Sequence, residues 1–399
     1  MTAPWLSIVG IGEDGPSPAA RALLAQAALV VGGARHLALA GAFPGERLAW
    51  PSPPEGAFPA ILARRGQPVC VLASGDPFFY GIGSLLAMHV PREETAGLPA
   101  PSAFGLAAAR LGWAQQDCAL LSLHGRALER IIPHLQPRAR IIALSWDGST
   151  PARLAALLRA RGMGQTVLHV CEHMGGPRER LRHAAAAEFA LDDIAALNTV
   201  ALEVAAEPSA RIIPLGGGLP DEWFEHDGQI TKREVRAITL AALAPAKGAL
   251  LWDIGAGSGA VSIEWMLRDP SCRAVAVERH GARAGRIGRN ALELGVPDLR
   301  IVEGEAPEAL AGLPAPDAVF VGGGATAPGL LDAAWAALQL GGRLVVNAVT
   351  LETQAELTRR HAALGGQLTM INLAQAETVG RFHGWRAAMP LVQWRVAKR

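Results

Sequence analysis

The sequence predicts an α/β protein of two dissimilar domains, the second an open, Rossmann-like sheet of seven strands. Three observations predict it. Short apolar runs alternate with helix-length segments through the C-terminal half, as in a mostly parallel sheet covered on both faces. One buried run, "LLWDIGAGSG" at 250–259, breaks into glycines at alternate positions. A stretch rich in Pro, Gly and acids, "EPSARIIPLGGGLPDEWFEHDG", separates two periodic regions, so the expected domains are 1–206 and 229–399, joined by a linker at 207–228. A chain of 399 residues, 50% hydrophobic and 18% charged, can bury two full cores.

In chain order, the first strand is "LSIVGIG", followed by a helix from Ser17 and Pro18, where proline suits the first turn. Six more strands are expected in this half: "ALVVGGA", "PVCVLASGDPFF", "DCALLSLHG", "ARIIALSW", "QTVLHVCEHM" and "TVALEVA", with Ala-rich helices between. Pro44 to Pro59 reads as a proline-rich excursion. After the linker, Thr231 with Glu234 three residues on has capping-box spacing for a helix start. Five parallel strands follow: "ALLWDIGA", "RAVAVER", "LRIVEGEA", "PDAVFVGGG" and "GRLVVNAVT". Helices are expected near 260–268, 282–294 and 328–340. "QLTMINLAQAETV" and "MPLVQWRVA" have no helix between them and are expected to close the sheet as an antiparallel hairpin.

Charge and cysteine usage narrow the function. With 37 basic and 36 acidic residues the net charge is +1, so no sequence-wide field favours nucleic acid or an anionic membrane. Cys70, Cys118, Cys171 and Cys272 form no CxxC pair, and no His, Cys and carboxylate cluster has ligand spacing; neither a metal site nor a disulfide is expected, and a reducing cytoplasm fits. The N-terminus lacks a basic region before an apolar core, and no apolar run reaches the roughly 18 residues of a membrane helix, so neither export nor a membrane span is expected. A symmetric homo-oligomer is the default for an enzyme of this kind.

The loop Gly255, Ala256, Gly257, Ser258, Gly259 lets a ligand approach the main chain without meeting a Cβ. A dinucleotide and S-adenosylmethionine are the two candidates. Asp253, two residues before the loop, would repel a pyrophosphate but favours an ammonium and a sulfonium. Glu278 ends the next strand, where it can accept ribose hydroxyls, and Gly304 and Ala306 end the third, where backbone N–H groups can read an adenine edge. In this order of elements, residues 229–399 resemble the class I S-adenosylmethionine-dependent methyltransferases. The "QITK" entry before "DIGAGSG" further resembles the C15-methylating, decarboxylating domain of corrin biosynthesis, which implies that Thr231 lines the cofactor site as well as, or instead of, capping the helix.

In the N-terminal half, Gly10, Gly12 and Gly15 loosen the end of the first strand, and "VLASGDPFFYGIG" runs a buried strand into an unusual Gly75-Asp76-Pro77 turn. With "PSAFG", "SLHGR" and "VCEHM" after them, residues 5–205 resemble the tetrapyrrole methylase family, the class III methyltransferases. The resemblance implies two α/β subdomains with S-adenosylmethionine in the cleft between them, and carries a cofactor role to Gly10, Gly12, Gly75, Asp76, Pro77 and Ser102. Glu13 and Asp14 stand where that family has Pro-Gly.

A class III domain followed by a class I domain resembles the decarboxylating corrin C(5,15)-methyltransferase family of cobalamin (vitamin B12) biosynthesis. That implies a tetrapyrrole small-molecule substrate, precorrin-6B, converted to precorrin-8X. The N-terminal domain would methylate carbon 5; the C-terminal domain would methylate carbon 15 and decarboxylate the ring C acetate, with one cofactor per domain. Such a substrate carries several carboxylates, for which arginines are suited. Arg381, His383, Trp385 and Arg386 are expected in the turn between the last two strands, as a solvated tip or a substrate-facing loop with His383 as proton donor. Asn347, ending the fifth strand, either holds substrate or caps the next helix, and His124, Arg126, Glu172 and His173 are the matching candidates in the first half. From the residues alone, three alternatives stand: a methyltransferase acting on another tetrapyrrole or a different substrate, against which the Gly75-Asp76-Pro77 loop speaks, a dehydrogenase, marked by NADH binding, and a non-enzymatic corrinoid-binding platform, marked by loss of cofactor binding in one half.

Overall fold

A computed structural model describes residues 4–399; the first three residues of the expected 1–206 domain lie outside the described residues. The chain forms two compact units, one of residues up to 128 with 134–211, the other of 129–133 with 212–399.

The first unit contains two five-stranded sheets. β1 (Leu6–Ile11), β2 (Leu29–Gly32), β3 (Glu46–Ala49), β4 (Val69–Ser74) and β5 (Thr95–Leu98) lie parallel in the order β3-β2-β4-β1-β5. Both faces of its central strands are apolar, so both are covered: Ile8, Val31 and Val71 pack with Phe58, Ile61 and Leu86, while Val9, Val30 and Leu72 pack with Ala20 and Leu24. The second sheet has β6 (Cys118–Ser122), β7 (Arg140–Leu144), β8 (Val167–Glu172), β9 (Arg180–Ala185) and β10 (Asn198–Glu203) in the order β6-β7-β10-β8-β9. Here β10 runs antiparallel to both neighbours. Phe104, Ala107 and Ala108 of helix Ala103–Leu111 cover Ile142, Cys171 and Ala201. The two expected subdomains are therefore present, with three strands beyond those expected: β3, β5 and β9. All three are sheet edges, and β3 and β9 are largely exposed, so they carry no buried apolar run.

The second unit holds β11 (Leu250–Ile254), β12 (Arg273–Glu278), β13 (Arg300–Glu303), β14 (Ala318–Val321), β15 (Arg343–Ala348), β16 (Gln367–Ile371), β17 (Ala374–Val379), β18 (Phe382–Ala387) and β19 (Leu391–Ala397). Seven form one sheet, β13-β12-β11-β14-β15-β19-β16, parallel except for β19, which is antiparallel to both β15 and β16. Ile254 pairs with Val277 on one side and Val321 on the other, so strand order reverses at β11. Ligands of open α/β sheets bind at the carboxyl ends of strands beside such a reversal, and the glycine loop lies there.

Two expectations need correction. The run 367–379 is not one strand: it divides at residues 372–373, and β17 pairs with β18 as a separate two-stranded ribbon. The stretch expected as a turn therefore supplies β18 in its place. The helix expected to be capped by Thr231 is Arg233–Leu243; its N-cap is Lys232 and no side chain caps it.

Candidate functional site

The glycine loop is held by backbone that only glycine adopts readily. Gly255, Gly257 and Gly259 have φ of 73°, 61° and 74°. A Cβ on Gly259 would lie 2.7 Å from the Ile287 side chain, and one on Gly255 would lie 3.1 Å from the Gly323 carbonyl oxygen. The loop opens into a cavity of about 590 Å³ whose wall includes Gly255, Ala256, Gly257, Ser258, Glu278, Gly304, Ala306, Thr231 and Asn347. Strand ends from four parts of the sheet thus meet at one place.

The acids act differently from one another. Glu278 is on the wall, accepting from the Gly257 N–H at 2.9 Å and the His280 N–H at 3.0 Å; each oxygen retains a lone pair for a hydroxyl. Asp253 is behind the loop and only 1% exposed. One oxygen accepts from the Ser262 N–H and Oγ–H at 3.0 and 2.6 Å, while the buried Oδ1 has no partner. Burial raises its carboxyl to a pKa of about 6, against the opposing Ser262 hydrogen bonds. An unsatisfied buried acid beside a wall acid fits a cationic amino acid ligand and disfavours a pyrophosphate.

Asn347 does not cap the following helix, whose N-cap is Thr350. Its amide donates to Thr239 Oγ1 at 3.0 Å and accepts from Gln393 Nε2 at 2.9 Å, which fixes its orientation on the cavity wall. Arg381, His383, Trp385 and Arg386 do not line the cavity; its wall reaches only the base of the ribbon, at Leu373, Ala388 and Met389. Arg386 pairs with Glu377 at 2.9 Å, Arg381 lies over the Phe382 ring, and Trp385 is 79% exposed.

Sequence reasoning missed Lys232, Arg279 and Arg283, which give the cavity its positive charge, and the glycines 322–324 after β14. The "VGGG" run at a strand end and the arginine following Glu278 were the available signals. Arg283 also pairs with Asp227 at 2.8 Å, holding that carboxyl well below the usual range.

In the first unit the three expected segments converge. The Ala100 N–H donates to the Gly75 carbonyl at 3.1 Å, and a Cβ on Gly10 would lie 1.9 Å from that same oxygen. Gly75 has φ of 56°, and its Cβ would meet Ser102 Cα at 2.7 Å. Ser102 caps helix Ala103–Leu111 by accepting from the Gly105 N–H, and Asp76 accepts from the Phe78 N–H. Pro77 is buried directly after it, while Gly12 receives the Gly15 N–H that closes the first loop. Among the other candidates, Glu172 is buried and neutralised by Arg180, Arg182 and the Ala195 N–H, a structural arrangement. The His124 and Trp146 rings are tilted with centroids 6.4 Å apart, Arg126 lies over Tyr80, and His173 Nδ1 is 3.3 Å from Glu13.

Fold and site define a tandem of methyltransferase domains. Residues 6–190 match the tetrapyrrole (corrin/porphyrin) methylases, and residues 222–398 match the precorrin methyltransferase domain. Over 99% of this chain and 96% of its own length, a Sinorhizobium precorrin-6Y C(5,15)-methyltransferase [decarboxylating] is 54% identical. The Mycobacterium tuberculosis protein of that name is 42% identical over 98% of this chain and 99% of its own. The solved C-terminal domain of precorrin-6Y C5,15-methyltransferase from Rhodobacter capsulatus is 50% identical, covering 47% of this chain and all of its own, with a TM-score of 0.45. The chain belongs to the precorrin-6Y C(5,15)-methyltransferase (decarboxylating) family, and S-adenosylmethionine is the methyl source of such an enzyme.

Among the described residues no three or more His, Cys, Asp and Glu are grouped to hold a metal, all four cysteines are free, and no helix is long and apolar enough to cross a membrane.

Proposed function

We propose that the chain methylates precorrin-6B at carbons 5 and 15 and decarboxylates the ring C acetate to give precorrin-8X, in cobalamin biosynthesis. The observation that carries this reading is the glycine cradle at the strand reversal with Asp253 and Glu278 beside it, on a chain whose other half brings Gly10, Gly75 and Ser102 together. Each half has one cofactor site, and residues 207–228 join them. The enzyme works in the cytoplasm as a homo-oligomer, a setting supported by cysteine spacing with no CxxC pair and the symmetry usual among such enzymes.

When bound, S-adenosylmethionine supplies an electrophilic methyl on a sulfonium. In the C-terminal site Glu278 would accept its ribose hydroxyls, the loop 255–259 would hold it by main chain, Gly304 and Ala306 would offer backbone to its adenine, Thr231 would stand at the rim, and Asp253 would supply negative potential from behind the loop. Lys232, Arg279 and Arg283 hold substrate carboxylates, and the fixed amide of Asn347 orients the macrocycle. Positioning of this kind, with water excluded, is what methyl transfer to an electron-rich carbon requires. The conjugated macrocycle itself is the electron sink for decarboxylation. In the N-terminal site Gly10, Gly12, Gly75, Asp76, Pro77 and Ser102 form the cofactor cleft.

Calorimetric titration of the full chain with S-adenosylhomocysteine tests the reading. Two molecules bind per chain, and one in Glu278→Ala. A single site in the unaltered chain would mean that one half does not methylate.

A further inference from the structure

Glu13, which departs from the tetrapyrrole methylase pattern, is the anchor of a hydrogen-bonded group at the carboxyl ends of β1, β2 and β4. Its carboxylate takes the Arg35 guanidinium, with His173 at 3.3 Å and Arg178 at 4.0 Å. The other arm of Arg35 reaches Ser74 Oγ at 3.1 Å and His36 Nε2 at 3.0 Å, and these two atoms are 2.8 Å apart. A guanidinium can only donate. His36 Nε2 is therefore an acceptor, its ring neutral with the proton on Nδ1, and the Ser74 hydroxyl, which accepts from Arg35, is placed to share that lone pair as a donor. Ser74 is exposed and immediately precedes the Gly75-Asp76-Pro77 loop.

Replacing hydrogen by methyl on a carbon forms one C–C bond and breaks one C–S bond; the positive charge that began on sulfur must then leave the substrate as a proton. We propose that Ser74 and His36 are the proton exit of the N-terminal methyl transfer: Ser74 Oγ takes the proton from the methylated carbon as its own passes to His36 Nε2, and from there to water. The proposal rests on the reading above that this half methylates carbon 5. Burial, with Arg35 beside it and Glu13 opposing, lowers the pKa of His36 to about 4, so the ring is ready to accept at neutral pH and quick to release. Such a weak base suffices because a cationic macrocycle bearing both hydrogen and methyl on one carbon is strongly acidic.

Two measurements on the full chain test it. In the cofactor-free chain, nitrogen NMR of labelled histidine shows His36 neutral at pH 7 with its proton on Nδ1; a proton on Nε2 overturns the relay. With substrate deuterated at carbon 5, Ser74→Ala and His36→Gln lower the turnover of that methylation on the order of 100-fold, the usual scale of general-base loss. A primary isotope effect that is absent from the unaltered enzyme appears, KM and S-adenosylhomocysteine affinity hold, and Ser74→Thr restores the rate. Loss of carbon 5 and carbon 15 methylation together, or slowing with no isotope effect, shows a structural role and overturns the inference. If the unaltered chain places no methyl on carbon 5, the functional reading itself fails and the inference falls with it.

Discussion

Asp253 is a carboxylate kept from water before any ligand arrives. Its pKa in the folded chain is about 6, above the ordinary value near 4. Between these the folded chain binds more protons than the unfolded one, so this residue's contribution to stability declines as pH rises through that window and stays lowered above it. Asp253→Asn removes the charge and keeps an acceptor for Ser262. The unliganded variant is expected to be more stable than the parent by about 2 kcal/mol at pH 8, with the gain shrinking at pH 5. Its affinity for S-adenosylhomocysteine at the C-terminal site falls at the same time. Denaturant unfolding at the two pH values checks this, and an equal shift at both would show that the carboxylate's charge is not the cause. Asp253 was legible in the sequence because it stands at a fixed offset from alternate glycines. Its burial was not: the offset identifies a strand end but not which strands will flank it.

At the scale of elements, helix Arg233–Leu243 is tied to helix Ala260–Met266 by one buried ion pair, whose two members also hold the segment before the first helix. Arg236 and Glu264 are both fully buried; Arg236 also donates to Asp221 Oδ1 and to the carbonyls of Leu219 and Thr231, and Glu264 accepts from the N–H groups of Gly218 and Leu219. The glycine-rich stretch therefore has an ordered course here, and Thr231 is held at the cavity rim by its carbonyl. Arg236→Met leaves Glu264 charged and buried, at an expected cost of about 3–5 kcal/mol. Urea unfolding measures that cost, and S-adenosylhomocysteine affinity at the C-terminal site falls with it. Arg236→Met with Glu264→Leu recovers less than a simple ion pair would, because Gly218 and Leu219 lose their acceptor. Nothing in a local sequence window showed this hub, since its partners are up to 46 residues apart and a buried arginine looks like any helical arginine until packed. The same limit hid the edge strands and the ribbon. Central strands such as β4 and β11 are buried on every residue but the last or throughout, whereas β17 is exposed along its whole length and has no periodicity that burial would impose.

Across the whole molecule, the order of motifs was more legible than the contacts among them. A glycine loop, an acid one strand on and small residues at the next strand end are local signals repeated at regular intervals, and they locate the C-terminal cavity. The Glu13 group joins residues as much as 165 positions apart, and only the folded chain brings them together. The two candidate sites are built from separate sets of residues, with Gly10, Gly75 and Ser102 in one unit and Asp253, Gly257 and Glu278 in the other. Separate sets imply separable reactions. Gly10→Val places side-chain atoms where even a Cβ would overlap the Gly75 carbonyl, so it disrupts the N-terminal loops while leaving the cavity at β11 unaltered. With precorrin-6B this variant is expected to yield a product with one methyl gained and one carbon dioxide lost. Glu278→Ala is expected to suppress both that methyl and the carbon dioxide loss. Mass spectrometry of the products distinguishes the patterns, with circular dichroism confirming that both variants fold. If Gly10→Val instead abolishes decarboxylation in a folded chain, the N-terminal half takes part in that step, and the assignment of one reaction centre to each unit is wrong.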